Sequence, residues 1–294
     1  MTAAQDFIKR HRLPQAYLQS AAHWFAPLLE QFADQYQPQQ SPQILGINGS
    51  QGSGKSTLAD YLCSIVSERY NIQTVNLSMD DFYLTKAQRQ GLAKTVHPLL
   101  ATRGVPGTHD VALMIETIDQ LSAGKPTQIT RFDKSTDDRV AKAAHETVSG
   151  AVGLIVIEGW CLGASPVPDS ELDTAINELE REQDSQGIWR RYVNQALTGS
   201  YQQLFTMVDQ LVMLQAPSFD RVFQWRLEQE QKLVQKLAQE NSQPGNAVMD
   251  EQQIKTFIQY FQRITEHLLA DLPQRAQHLY PLDNQRQIMD YLRN

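Results

Sequence analysis

The 294-residue chain predicts an α/β fold in which a mainly parallel sheet carries helices on both faces. Short apolar runs of strand type alternate with stretches whose apolar residues recur at helical spacing. The first run is joined to its helix by Gly49-Ser50-Gln51-Gly52-Ser53-Gly54-Lys55-Ser56, which fits the phosphate-loop pattern G-x-x-x-x-G-K-[ST]. A later run, Val152-Gly153-Leu154-Ile155-Val156-Ile157-Glu158-Gly159, is apolar up to its carboxylate, as in a central strand buried on both faces.

Composition narrows the function classes. The chain is 41% hydrophobic and 20% charged, ordinary values for a globular protein, and its net charge of -7 gives no electrostatic footprint for nucleic acid. Residues 1–13 already carry Asp6, Lys9, Arg10 and Arg12, which leaves no apolar signal core. No apolar run approaches a membrane span, so a cytoplasmic protein without a membrane partner is expected. Cys63 and Cys161, each in an apolar stretch, read as separate buried thiols.

Taken in order, residues 14–36 place Tyr17, Ala21, Trp24, Phe25, Leu28, Leu29 and Phe32 at helical spacing, and residues 1–40 are assigned to an N-terminal helical extension. Residues 41–294 form the main domain. Its first strand, Gln43 to Ile47, leads through the loop to a helix marked by Leu58, Tyr61, Leu62, Ile65 and Val66. Thr74 to Ser78 is the second strand and delivers Met79-Asp80-Asp81-Phe82-Tyr83 at its carboxyl end, where open α/β sheets bind ligands. Adjacent carboxylates on a strand project to opposite sides, so one of Asp80 and Asp81 faces the site. Leu84 to Asp110 reads as irregular, and Asp110 caps a helix running to about Ser122. Residues 130–139 alternate cations with carboxylates, and residues 170–187 suggest a surface insertion or mobile segment. Gln210 to Leu214 is a fourth strand, followed by a helix bearing Arg221, Arg226 and Lys232. Asn241 to Gly245 breaks the chain before a helix capped by Asp250. Gln277 to Leu282 is a last edge strand, and Ile288 to Leu292 a short closing helix.

The loop's residue types follow from its chemistry. Glycines let backbone N–H groups turn inward and place polyphosphate at the positive end of the next helix. Residues Gly49 to Thr57 are therefore the nucleotide-binding candidates, with Lys55 reaching the β- and γ-phosphates of ATP and Ser56 holding Mg²⁺; Thr57 has no required part. Glu158 is the second Mg²⁺ candidate.

The phosphate loop, the Asp80 block, the Glu158-Gly159 strand end and the arginine-bearing helix together resemble the phosphoribulokinase, uridine kinase and pantothenate kinase group of P-loop small-molecule kinases. Within it, Leu77 to Thr85, Arg103-Gly104-Val105-Pro106-Gly107-Thr108-His109-Asp110, Arg131-Phe132-Asp133-Lys134-Ser135 and Glu158 to Gly163 are most similar to plant-type D-glycerate 3-kinases and their microbial relatives. The resemblance implies a three-layer P-loop NTPase fold of strand order 2-3-1-4-5, a helical lid at about residues 218–250, and transfer of the γ-phosphoryl group of ATP to an alcohol. Asp80 would accept the hydroxyl proton. Arg221 and Arg226 lie five apart and point about 140° from each other on a helix, and Arg226 is preferred as the lid cation. Asp81, Tyr83, Arg103, His109 and Arg139 are the acceptor-binding candidates, because a small hydroxy acid such as D-glycerate needs cations in its pocket. Arg131 and Lys134 are discounted as paired with Asp133, Asp137 or Asp138. The competing expectations are a kinase of a nucleoside or pantothenate-like alcohol, and an ATP-binding switch without an acceptor.

Overall fold

A computed structural model of the chain describes residues 2–37, 40–239 and 249–294. Five parallel strands form the centre: β1 (Gln43–Gly49), β2 (Thr74–Ser78), β3 (Leu154–Gly159), β4 (Gln210–Gln215) and β5 (His278–Pro281). They lie side by side as β2-β3-β1-β4-β5, and β6 (Leu292–Arg293) closes the β5 edge antiparallel. All six residues of β3 are buried, as its unbroken apolar run requires of a strand covered on both faces. The register aligns the carboxyl ends: Glu158 lies opposite Ile47 on one side and Ser78 on the other. The segments leaving β1, β2 and β3 therefore emerge at one edge of the sheet.

Helices α1 (Ala3–His11) and α2 (Ala16–Gln35) precede the sheet, and α3 (Lys55–Tyr70) starts directly at the glycine-rich loop. On α2, Ala21, Phe25, Leu28, Leu29 and Phe32 are buried, as the helical spacing predicts. Helix α1 packs on α3: Phe7 is fully buried with its ring 5.6 Å from that of Tyr61, and Asp60 takes both Arg10 and His11.

Three sequence expectations are corrected. The stretch after Leu84 contains α4 (Lys86–Thr95), started by a capping box of Thr85 and Gln88, so it is not irregular throughout. Helix α5 (Val111–Ser122) follows, capped by Asp110. Residues 170–187 are no loose insertion. The segment builds α6 (Glu178–Gln183) and leads into α7 (Ile188–Ala196) and α8 (Ser200–Thr206), with Leu172 and Leu179 in the core. Its charges are internal ones: buried Glu180 pairs with Arg263 at 2.6 Å, and buried Asp184 with Arg190 at 3.3 Å. Finally, residues 288–292 form no helix. A turn at Asp283–Arg286 and the bridge between Leu282 and Ile288 send the chain back along β5. Helices α9 (Phe219–Gln239) and α10 (Glu251–Asp271) complete the fold, and Asp250 caps α10 as expected. The expected break at Asn241–Gly245, and with it part of the expected lid, lies outside the described residues.

His278 on β5 is fully buried between the Tyr291 hydroxyl at 2.9 Å and Oε1 of Gln210 at 3.0 Å. Burial, helped by Arg293, lowers its pKa to about 4. The fold thus favours the neutral ring. His278 costs no stability above the unfolded value near 6.5, and costs progressively more as pH falls from there toward 4. Thermal unfolding of His278→Gln should accordingly lose less stability on acidification across this window than the wild type does, by about 1–2 kcal/mol. Parallel acid limbs for the two proteins would show that the ring does not titrate this way.

Candidate active site

The loop between β1 and α3 owes its shape to two glycines in the left-handed region, Gly52 at φ +80° and Gly54 at φ +95°. A Cβ on Gly54 would meet nothing within 4 Å, and as the N-cap of α3 it supplies no side-chain bond to the first turn. The helix therefore starts with its N–H groups uncapped by any side chain beside open space, the arrangement that receives phosphate. Gly52 is confined instead: its Cβ would lie 2.9 Å from Cβ of Trp225, a fully buried residue of α9. Around this loop Ser50 Oγ, Gln51 Oε1, Ser53 Oγ and Glu158 Oε2 are buried polar atoms without a hydrogen-bond partner among the described residues.

Lys55 and Ser56 converge on Glu158. The Ser56 hydroxyl donates to Oε1 of Glu158 at 2.8 Å, and the Lys55 ammonium lies 3.9 Å from Oε2. Glu158 is 4% exposed. A hydroxyl and a carboxylate with an unsatisfied oxygen make a hard-oxygen donor set that fits Mg²⁺, whose remaining ligands come from phosphate and water. Thr57, the next residue of α3, is half-buried.

After β2 the chain does not continue as a strand. Residues Met79–Phe82 turn as a 3₁₀ helix, with Ser78 Oγ accepting the Asp80 N–H at 3.3 Å. The two acids diverge, as expected, but from a turn. Asp81 accepts Arg131 at 2.9 Å and the Phe132 N–H at 3.1 Å, which ties residues 131–132 to the turn. Asp81 is thus engaged in the scaffold. Asp80 accepts the Tyr83 hydroxyl at 2.5 Å through Oδ1 and the Lys134 ammonium at 2.6 Å through Oδ2. Burial pushes the Asp80 carboxyl upward, but Lys134 and Lys55, with the bonds from Lys134 and Tyr83, outweigh it and hold it well below the usual carboxylate range. Burial and Asp80 push the Tyr83 hydroxyl well above its ordinary value. The discounting of Lys134 as a partner of Asp133, Asp137 or Asp138 is corrected here, and so is that of Arg131.

The other predicted cations are placed unequally. Arg103 pairs with Asp137 and stacks 5.6 Å from the Phe132 ring centre, with 29% of its side chain exposed. Arg139 is used by the fold: Nε donates to the Tyr83 carbonyl at 2.8 Å and a terminal nitrogen to Asp110 at 2.9 Å. Buried Arg89, which carried no motif, bonds Leu84, Ala101 and Asp137. His109 is buried, its ring centre 4.8 Å from that of Tyr83, and Nδ1 is 2.6 Å from the Tyr201 hydroxyl. That hydroxyl also accepts the Gly107 N–H at 3.0 Å, and Nε2 of His109 has no partner among the described residues. Burial lowers His109 to about 4, so the ring is neutral near pH 7. Arg226, one residue beyond Trp225, pairs with buried Glu230 at 2.7 Å, and Glu230 also accepts the Met249 N–H at 2.9 Å. Arg221 is exposed. Sequence reasoning missed Tyr201, whose partners lie far along the chain, and Glu230, which carries no motif although it stands four residues from Arg226.

No family model matches the chain. An uncharacterized kinase of Schizosaccharomyces pombe is 34% identical over 221 residues, covering 70% of this chain and 76% of the relative. The chain belongs to this family of P-loop small-molecule kinases. The chloroplastic D-glycerate 3-kinase of Arabidopsis thaliana is 29% identical over 238 residues, 74% of this chain, and the match spans 45% of that protein's length. The solved structure of D-glycerate 3-kinase from Cryptococcus neoformans superposes with a TM-score of 0.74 over 96% of this chain and 100% of that one, at 23% identity, a likeness of fold. Membership implies that this kinase uses ATP. Among the described residues, no helix is long and apolar enough to cross a membrane.

The confinement of Gly52 yields a test that needs no substrate. Gly52→Ala should be destabilised by about 1–3 kcal/mol, from its left-handed backbone and its contact with Trp225. It should also lose the rise in melting temperature that ATP with Mg²⁺ gives the wild type. A full ATP-dependent rise in this variant would mean that the loop does not bind the nucleotide.

Proposed function

We propose that the kinase transfers the γ-phosphoryl group of ATP to a hydroxyl of a small hydroxy acid, converting D-glycerate to 3-phosphoglycerate. The observation that carries this reading is Asp80. It is a carboxylate at the carboxyl edge of the sheet, held by Tyr83 and Lys134, within electrostatic reach of Lys55 and kept well below the usual carboxylate range by the two lysines. An ATP-driven switch has no use for a proton acceptor there. The 29% identity to a D-glycerate 3-kinase and the fold shared with another support the choice of acceptor.

Each residue's part follows from its surroundings. The N–H groups of Gly49 to Thr57 and the ammonium of Lys55 bind the phosphates, and Lys55 follows the charge that develops on the transferred group. Ser56 and Glu158 would hold Mg²⁺, which when bound neutralises charge on the β- and γ-phosphates. Asp80 orients the acceptor hydroxyl and takes its proton late, so a strongly acidic carboxylate suffices in a loose transition state. Tyr83 fixes the Asp80 carboxylate. His109, neutral and with Nε2 unpartnered, hydrogen-bonds the acceptor, and Arg103 adds positive charge near it. Arg226 leaves Glu230 for the transferring phosphoryl group when the helix that carries both closes as a lid over the rest of the catalytic domain, residues 41–294.

Two measurements follow. With saturating ATP and Mg²⁺, D-glycerate should stimulate ADP formation far more than uridine, pantothenate or ribulose 5-phosphate, and acceptor-independent turnover would favour a switch. In the same assay Asp80→Asn and Lys55→Met should each lower kcat by at least about 100-fold. Asp80→Asn should leave ATP affinity nearly intact, whereas Lys55→Met weakens it. Asp81→Asn should act mainly on melting temperature, since Asp81 holds Arg131 and Phe132. If Asp81→Asn were the more damaging to kcat, Asp80 would not be the base.

A further inference from the structure

The carboxylate that must receive the acceptor's proton is fully engaged, one oxygen by Tyr83 and the other by Lys134. The two donors are held very differently. Tyr83 is buried, packed against His109 and edge-on to Phe132. Lys134 sits at the turn of a short hairpin, Phe132–Asp133 paired with Asp138–Arg139, and its side chain is 58% exposed. The base of this hairpin is fixed by Asp81 on Arg131 and by Asp110 on Arg139. Its turn carries the lysine out to Asp80. The Lys134 side chain is mostly exposed while Asp80 is not, so water can solvate the ammonium when a hydroxyl takes its place at Oδ2.

Once displaced, the ammonium exchanges Asp80 for water and the nearest anion; of the neighbouring acids only Asp137 has cationic partners, and Asp133 and Asp138 accept neutral donors through Oδ1. Asp133 accepts the N–H and hydroxyl of Ser135, Asp137 is taken by Arg103 and Arg89, and Asp138 accepts the N–H groups of Lys86 and Arg139. The groups acting on Asp80 from the surrounding elements are Lys55, which faces Glu158, and the neutral Tyr83, His109 and Cys161. Arg103 is held by Asp137. We propose that Lys134 selects the acceptor: the incoming hydroxyl displaces its ammonium from Oδ2 of Asp80, and the ammonium pairs with an anionic group on the same molecule. This inference rests on the hydroxy-acid reading of the site and assigns its specificity to one residue.

In the transfer itself, the acceptor O–H bond breaks and its proton goes to Oδ2 of Asp80, the position Lys134 vacated. The acceptor oxygen bonds the γ-phosphorus. The bond from that phosphorus to the β,γ-bridging oxygen breaks, and its electron pair leaves with ADP. The proton then passes to solvent. A neutral alcohol could make the same exchange, but it offers the ammonium no anion in place of Asp80.

The test is steady-state kinetics of the full chain and of Lys134→Ala and Lys134→Arg, with D-glycerate and with glycerol, which keeps the carbon skeleton and lacks the anion. Lys134→Ala should raise the KM for glycerate at least tenfold and lower kcat less than that, with the KM for ATP little changed. The ratio of kcat/KM for glycerate over glycerol should fall at least tenfold, and Lys134→Arg should recover most of both losses. If the wild type phosphorylates glycerate and Lys134→Ala leaves its KM unchanged, or lowers both acceptors equally, Lys134 does not select. If the wild type takes no hydroxy acid, the parent reading fails and the inference falls with it.

Discussion

Glu158 ends the most deeply buried strand of the sheet with one oxygen on Ser56 and the other near Lys55. A carboxylate in that position would be costly if left alone, because removing an ion from water costs several kcal/mol even after relaxation. Its partners are the first two residues of α3, so satisfying Glu158 also fixes where that helix begins. The loop between β1 and α3 is thus closed at both ends, by the strand register and by this contact. Its remaining freedom is taken up by left-handed glycines and by Trp225 against Gly52.

The acceptor side is built on the same economy of charge. Asp81, Asp110 and Asp137 each hold an arginine, and those pairs fasten residues 131–139 across the end of β2. Asp80 stands apart because its cation is mostly exposed while its other donor, Tyr83, is buried. A buried tyrosine keeps the carboxylate oriented, while the other oxygen is held by an exposed lysine. On the nucleotide side, the ion pair of Arg226 with Glu230 keeps the candidate lid cation paired near the loop, one residue from the tryptophan that touches it.

How much of this could be read from the sequence depended on range. The phosphate loop, its flanking strand and helix, and the caps at Asp110 and Asp250 are local patterns, and they were legible in full. The Glu158 strand was legible because burial on both faces leaves an uninterrupted apolar run. Helix α4 was missed although Thr85 and Gln88 form its capping box, because the glycine- and proline-rich residues beyond it suggested a loop. Residues 170–187 looked solvated because their acids are numerous, but Glu180 and Asp184 are neutralised by arginines, Arg263 lying 83 positions away. Arg139 on Asp110 and Lys134 on Asp80 are likewise pairings across long stretches of chain. Sequence spacing shows that cations are present, and only the folded hairpin shows which one reaches Asp80.

The most direct test of the central claim is a competition followed to product. The full chain is incubated with ATP, Mg²⁺ and equal concentrations of D-glycerate, uridine, pantothenate and ribulose 5-phosphate, and ³¹P NMR identifies the new phosphate ester. A single phosphomonoester on the C3 hydroxyl of glycerate, formed in step with ADP, is the result this account predicts. A phosphorylated nucleoside or pantothenate with no glycerate product, or ADP and free phosphate alone, would contradict it.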